Sequence, residues 1–193
     1  FGAKSTPNAA LLRWLEPRVP FLDISSIGEM RLALAAGWDT ARLSFTGPAK
    51  RAFELSEAIA LGVGELIVES LREAHAADAM ARSLGRVQTI LIRIAPDRVP
   101  RGFGDQMAGR PSPFGIDVED LAAALPAILG LSNLRVAGLH IYSGTQCLKA
   151  EAIVENYRAF IELFLSICAS HRITPETLVF GSGLGIPYHD GDS

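Results

Sequence analysis

The chain has 193 residues, 49% of them hydrophobic and 20% charged, with a mean hydropathy of +0.25, enough for one substantial buried core. Eighteen basic against 21 acidic residues give a net charge of −3 with neither sign clustered, which argues against nucleic acid or a polybasic membrane surface as partner. No apolar run reaches the ~20 residues of a membrane-spanning helix, no signal-peptide pattern opens the chain, and two cysteines make no disulfide framework, so a reducing, cytoplasmic setting is expected.

The elements alternate. FGAKS (1–5) is short and apolar and is predicted to be the first strand, followed by a helix with Thr6 as N-cap and Pro7 in its first turn. FLDIS is the second strand. Ser26 and Glu29 then stand at capping-box spacing before a helix that stops at Gly37. ARLSFT and AKRAFELSEAIALG form the third pair, ELIVES and a helix capped by Ser70 and Glu73 the fourth. QTILIRIAP is the fifth strand, a polar loop follows, and VEDLAAALPAILG is helical. LRVAGLHIYS, a long helix from 150 to 171 and TLVFGSG close the series. Seven strands dense in Leu, Ile, Val and Phe alternate with six helices, the pattern of a parallel sheet with right-handed crossovers. Seven similar units favour an α/β (β/α)8 barrel of the TIM type lacking its last strand over a doubly wound open sheet. One domain over 1–193 is expected. With no initiator methionine and a turn-like PYHDGDS at the end, the chain reads as a fragment whose unclosed barrel leaves the edges of strands one and seven open.

In such barrels functional groups gather at the C-terminal ends of strands. Those ends supply Lys4, Asp23, Ser25, Glu69, Arg93, His140, Ser143 and Gly181-Ser182-Gly183. Gly181, Gly183 and Gly185 are expected to expose backbone N–H groups to a phosphate, although an ordinary glycine-rich loop gives the same pattern. A Rossmann fingerprint is disfavoured, because Ile186-Pro187 follows where a helix should open. A lysine and a phosphate site on one rim point to pyridoxal phosphate, whose aldehyde forms a Schiff base with a lysine amine; partial burial of Lys4 would favour its neutral form. His140 could be a core histidine or stack on the cofactor ring. Arg93, inside a strand fit for burial, needs an anionic or hydrogen-bonded partner, for which Asp23 and Glu69 are the candidates. Cys168 lies mid-helix and is expected to be inert, whereas Cys147 follows a loop. His189, Asp190 and Asp192 read as solvated rather than as metal ligands, and no metal is expected.

The motifs FGAKSTPN, FLDISSIGEM, VES, SPFGID, LHIYSG and GSGLGIPY resemble, in order and over nearly the whole chain, those of the fold-type III pyridoxal-phosphate decarboxylases, the group of diaminopimelate and ornithine decarboxylases. The resemblance implies an incomplete barrel of the alanine racemase-like kind. It implies that Lys4 carries the cofactor, that His140 stacks on its ring and that Ser143 and Gly181-Ser182-Gly183 hold its phosphate. Asp23 and Arg93 would shape the wall beneath it, with Glu29 as a supporting charge. Lys4 and His140 would be catalytic in decarboxylating an amino acid, in a homodimer. Tyr142, Ser182 and Pro113 depart from the family's pattern, and IYSGTQ with GDQMAGRPSPFGID looks like the biosynthetic-cluster branch, some of whose members act on aminoacyl groups tethered to a carrier protein. The acidic partner of the pyridine nitrogen, carried by an E-P-G-R motif, and a cysteine segment of a C-terminal β domain do not occur, so residues 1–193 alone are expected to be inactive. An amino-acid racemase of the same fold and a non-catalytic homologue are the rival readings.

Overall fold

The structure, a computed structural model, describes residues 1–97, 102–106, 109, 112–181 and 183–191. Ser182 and Asp192, both named above, lie outside the described residues.

The helices are α1 (Ala9–Leu15), α2 (Ile27–Ala35), α3 (Ala52–Leu61), α4 (Leu71–Ser83), α5 (Leu121–Leu129) and α6 (Ala150–His171). The strands are β1 (Leu22–Ile24), β2 (Leu43–Phe45), β3 (Glu65–Val68), β4 (Gln88–Ala95), β5 (Phe103–Gln106), β6 (Ile116–Asp117), β7 (Leu134–Tyr142), β8 (Gly144–Cys147) and β9 (Thr177–Gly181). Parallel strands joined by helices give the connectivity of an incomplete (β/α)8 barrel. None of the described helices is long and apolar enough to cross a membrane.

The chain falls into two compact units, Phe1–Leu91 with Ala127–Val136, and Ile92–Pro126 with Ala137–Ser193. In the first, β1, β2 and β3 are parallel neighbours in that order, with Leu22 beside Leu43, Ile24 beside Phe45 and Phe45 beside Leu66. These strands are buried along nearly their whole length, as strands covered on both faces are. The caps form where the spacing predicts: Ser26 accepts from the Glu29 N–H and Ser70 from the Glu73 N–H, while the Glu29 and Glu73 carboxylates reach back one residue beyond the cap, to the N–H groups of Ser25 and Glu69. α3 stops at Gly62, whose φ of 79° is the left-handed form that ends helices. Ala33 of α2, Leu55 and Ala58 of α3, and Ala74, Ala77 and Ala81 of α4 are buried.

Two expectations at the N-terminus are corrected. FGAKS is not a strand: only Gly2 bridges Asp23, and Ala3–Ser5 is a 3-10 turn closed by Ser5 N–H to Gly2 O and Thr6 N–H to Ala3 O. The helix cap is Asn8 rather than Thr6, its Oδ1 accepting from the N–H groups of Ala10 and Leu11 at 2.9 and 3.1 Å. An asparagine one residue before Ala9 satisfies two otherwise unpaired N–H donors, which Thr6 is too early to reach.

In the second unit β7 pairs with β9 in a five-residue parallel register from Gly138↔Thr177 to Tyr142↔Gly181, and β6 lies on β4 through Ile94↔Ile116. Ala152, Asn156, Phe160, Phe164 and Ile167 form the buried stripe of α6, and the Phe164 and Phe180 rings meet at 5.0 Å. β5, inside the expected polar loop, forms a separate antiparallel pair with β8.

Candidate cofactor site

In the first unit Lys4 sits in the 3-10 turn beyond the Gly2–Asp23 bridge and is exposed, so the partial burial expected of it does not occur. The residues that follow it, Ser5, Thr6 and Pro7, are exposed as well. Asp23 in β1 carries the electrostatic signature of a site. Burial pushes its carboxyl above the usual carboxylate range, while a hydrogen bond from the Thr46 hydroxyl and the nearby Lys4 charge partly hold it down. Glu29 turns back from α2 to accept from the Ser25 N–H at 2.9 Å, which fixes the loop leaving β1.

The ends of β2 and β3 are joined by a residue the sequence reading passed over. Lys50, with a side chain only 1% exposed, donates to Gly47 O at 2.7 Å, Ile67 O at 2.6 Å and Glu73 Oε1 at 2.7 Å. The other Glu73 oxygen accepts from the Glu69 N–H, and buried Glu69 accepts from the Gly47 N–H at 2.9 Å. Nothing in the sequence separates Lys50 from a solvated lysine at the start of a helix; only the fold supplies its three acceptors.

In the second unit Arg93 is buried in β4, its guanidinium 4.7 Å from the centre of the Phe114 ring. Phe114 reaches it because Gly115, at φ 80°, brings the chain so close that an added Cβ would lie 3.0 Å from Arg93 O. His140 is buried in β7 beside Val179 of β9. Ser143 is completely buried, and its Oγ accepts from Asn156 Nδ2 at 3.1 Å. Asn156 was missed, yet a signal was there: an asparagine on the apolar stripe of α6 has to find a polar partner. Cys147 is also buried, with its Sγ 3.5 Å from Lys149 O, so its place after a loop does not leave it open at the surface. Burial pushes the Cys168 thiol up, away from the reactive thiolate.

The glycine segment corrects a further expectation. Gly183 and Gly185 do not turn their N–H groups outward: Gly183 N–H donates to Gly144 O at 3.0 Å and Gly185 N–H to Cys147 O at 2.8 Å, while Cys147 N–H donates to Gly183 O. Glycine is required here by close approach to β8. A Cβ at 183 would lie 2.1 Å from Thr145 Oγ1 and 2.6 Å from Thr145 Cα, and one at Gly181 would lie 2.4 Å from the ring of Tyr142. Tyr142, the departure from the family's glycine, therefore accounts for the missing side chain at 181.

Each unit carries groups of the kinds that suit a pyridoxal group: in the first, an exposed lysine on a turn with a half-buried acid near it; in the second, a buried imidazole and glycines at 181 and 183 packed too closely to carry a Cβ.

Residues 1–193 match the family model described as "Pyridoxal-dependent decarboxylase, pyridoxal binding domain". The chain is 32% identical over 167 residues to the L-glutamyl-[BtrI acyl-carrier protein] decarboxylase of Niallia circulans, covering 86% of this chain and 39% of that protein. It is 30% identical over 192 residues to the diaminopimelate decarboxylase of Zymomonas mobilis, covering 98% of this chain and 45% of that protein. The crystal structure of diaminopimelate decarboxylase from Helicobacter pylori complexed with L-lysine superposes with a TM-score of 0.88 at 26% identity, over the whole of this chain and 49% of that one. The chain thus spans less than half the length of each of these proteins.

Proposed function

The chain belongs to the pyridoxal-dependent decarboxylases, as their pyridoxal binding domain, and from that premise we propose that the protein containing it decarboxylates an amino acid with pyridoxal 5′-phosphate held through Lys4. The observation that carries this reading is the family match over all 193 residues, with a lysine at position 4 exposed on a turn near a half-buried acid. When bound, the cofactor supplies an electron sink for the pair released as the carboxylate leaves. The chain's own groups do the rest. The Lys4 amine is the point of attachment, and the neighbouring Asp23 carboxylate offers its charge toward that amine. His140 and Arg93, both buried, are proposed as rigid ring and wall groups. Ser143, Gly181 and Ser182 are proposed for the phosphate, with Gly183 contributing close approach rather than an N–H. The protein's part is orientation and electrostatics.

The similarity to a decarboxylase of a carrier-bound glutamyl group favours a tethered aminoacyl substrate over a free diamino acid, and we propose a homodimer working in the cytoplasm. The test uses the full-length protein. Incubated with pyridoxal phosphate it should show the visible absorbance of a lysine-bound cofactor, and borohydride should fix the cofactor on the peptide containing Lys4. The Lys4→Ala variant should show neither; a band or a reduced adduct retained in that variant contradicts the assignment. Release of CO2 from a carrier-bound glutamyl group, compared with free amino acids, then identifies the substrate class.

A further inference from the structure

Gln146 stands in β8 with φ at +57°, a conformation that L-residues other than asparagine and glycine adopt with strain. Among the described residues Arg172 is the other non-glycine with positive φ, and there the reason is ordinary, since it caps the C-terminus of α6. Gln146 caps nothing. Its left-handed backbone instead aims the carboxamide at residue 186, where Nε2 donates to Ile186 O at 2.8 Å and Oε1 accepts from Ile186 N–H at 3.1 Å. Both main-chain groups of Ile186 are thus held by one side chain.

This clasp continues a ladder. Gly183 N–H to Gly144 O, Cys147 N–H to Gly183 O and Gly185 N–H to Cys147 O tie residues 183–185 to β8, with Cys147 bridging Leu184. On its other edge β8 is paired with β5 through Phe103↔Cys147 and Asp105↔Thr145. β8 is therefore a mount for the glycine segment, and Gln146 is its last fastening. The glutamine carboxamide carries a donor and an acceptor on separate atoms, so one side chain serves both main-chain groups of Ile186. Backbone strain persists only where its surroundings over-determine it, and here they are the two bonds to Ile186.

We propose that Gln146 is a positioning residue for cofactor binding, setting the course of residues 183–186 and through them the grip on the cofactor's phosphate; this rests on the phosphate role given above to the glycine segment. The test is phosphate-specific. Affinities of the full-length protein for pyridoxal 5′-phosphate and for pyridoxal, which lacks the phosphate, are measured for wild type, Gln146→Glu and Gln146→Gly, each with a melting curve. Gln146→Glu keeps the acceptor and places an oxygen against Ile186 O; Gln146→Gly removes the clasp and relieves the strain, and serves alone if the first variant does not fold. The expected result is a loss of about tenfold or more in pyridoxal phosphate affinity in each folded variant with pyridoxal affinity unchanged, the scale of a lost pair of hydrogen bonds. An equal loss for both ligands, or no loss for either, overturns the inference while leaving the cofactor reading intact. A wild type that binds pyridoxal phosphate no better than pyridoxal removes the phosphate role of the segment, and this inference with it.

Discussion

At the scale of single residues, Asp23 shows a site group held against its own preference. Its folded pKa lies above the ordinary value because burial disfavours the charge more than Thr46 and Lys4 favour it. A raised carboxyl contributes stability that is full below the unfolded value, about 3.9, and is lost as pH rises through the folded value. Asp23→Asn keeps an acceptor for the Thr46 hydroxyl and removes the charge. Its melting temperature should therefore exceed that of the wild type at pH 7, and the gap should close toward pH 4, while affinity for pyridoxal phosphate falls. A variant that melts lower than the wild type at pH 7 would mean that the ionised form is the stabilised one. The trade of stability for function at this residue fits its place beside the proposed attachment point.

Between elements, the decisive device is Lys50, which ties the loop after β2 to the end of β3 and the first turn of α4. Truncating it leaves two carbonyls and the half-buried Glu73 carboxylate without their cation. Lys50→Met should cost about 3–5 kcal/mol, read from denaturant midpoints at unchanged slope; a cost below about 1 kcal/mol would reduce the cluster to an ordinary surface pair. Whether a group was legible in the sequence follows the same division. Helix caps at Ser26 and Ser70, the glycine stop at Gly37 and the apolar strands β1 to β4 are local signals, and the structure follows them. Asp23, Arg93 and His140 are named from the sequence because strand ends in an alternating fold are where chemistry collects; Lys4 is named on the same ground, although the segment that carries it is a 3-10 turn rather than a strand. Lys50, Asn156 and Gln146 are not so named, since each acts through partners 13 to 40 residues away that composition does not reveal. In the glycine segment the N–H groups of Gly183 and Gly185 are spent on β8 rather than turned outward. Glycines exposing N–H groups and glycines packed on a neighbouring strand leave the same letters.

For the molecule as a whole, response to pH sums groups of opposite sign. Asp78 opposes Asp23. Burial alone would raise its carboxyl, yet the backbone and side-chain N–H groups of Asn133 and the Arg82 guanidinium outweigh burial and hold it below the usual range. Glu54 behaves alike: burial is outweighed by the Arg51 backbone N–H and guanidinium and by the Ile27 N–H. A depressed carboxyl contributes stability that is present above its unfolded value and lost as pH falls through the folded one. The protein should therefore lose stability steeply below about pH 4, where Asp78 and Glu54 protonate. Asp78→Asn, which turns an acceptor of three donors into an amide, should cost about 1–3 kcal/mol at pH 7 and flatten this acid limb. Denaturant titrations of wild type and variant between pH 7 and pH 3 measure both effects. Parallel curves over that range would show that Asp78 is bound as strongly when protonated as when charged, and the acid sensitivity would have to arise elsewhere in the chain.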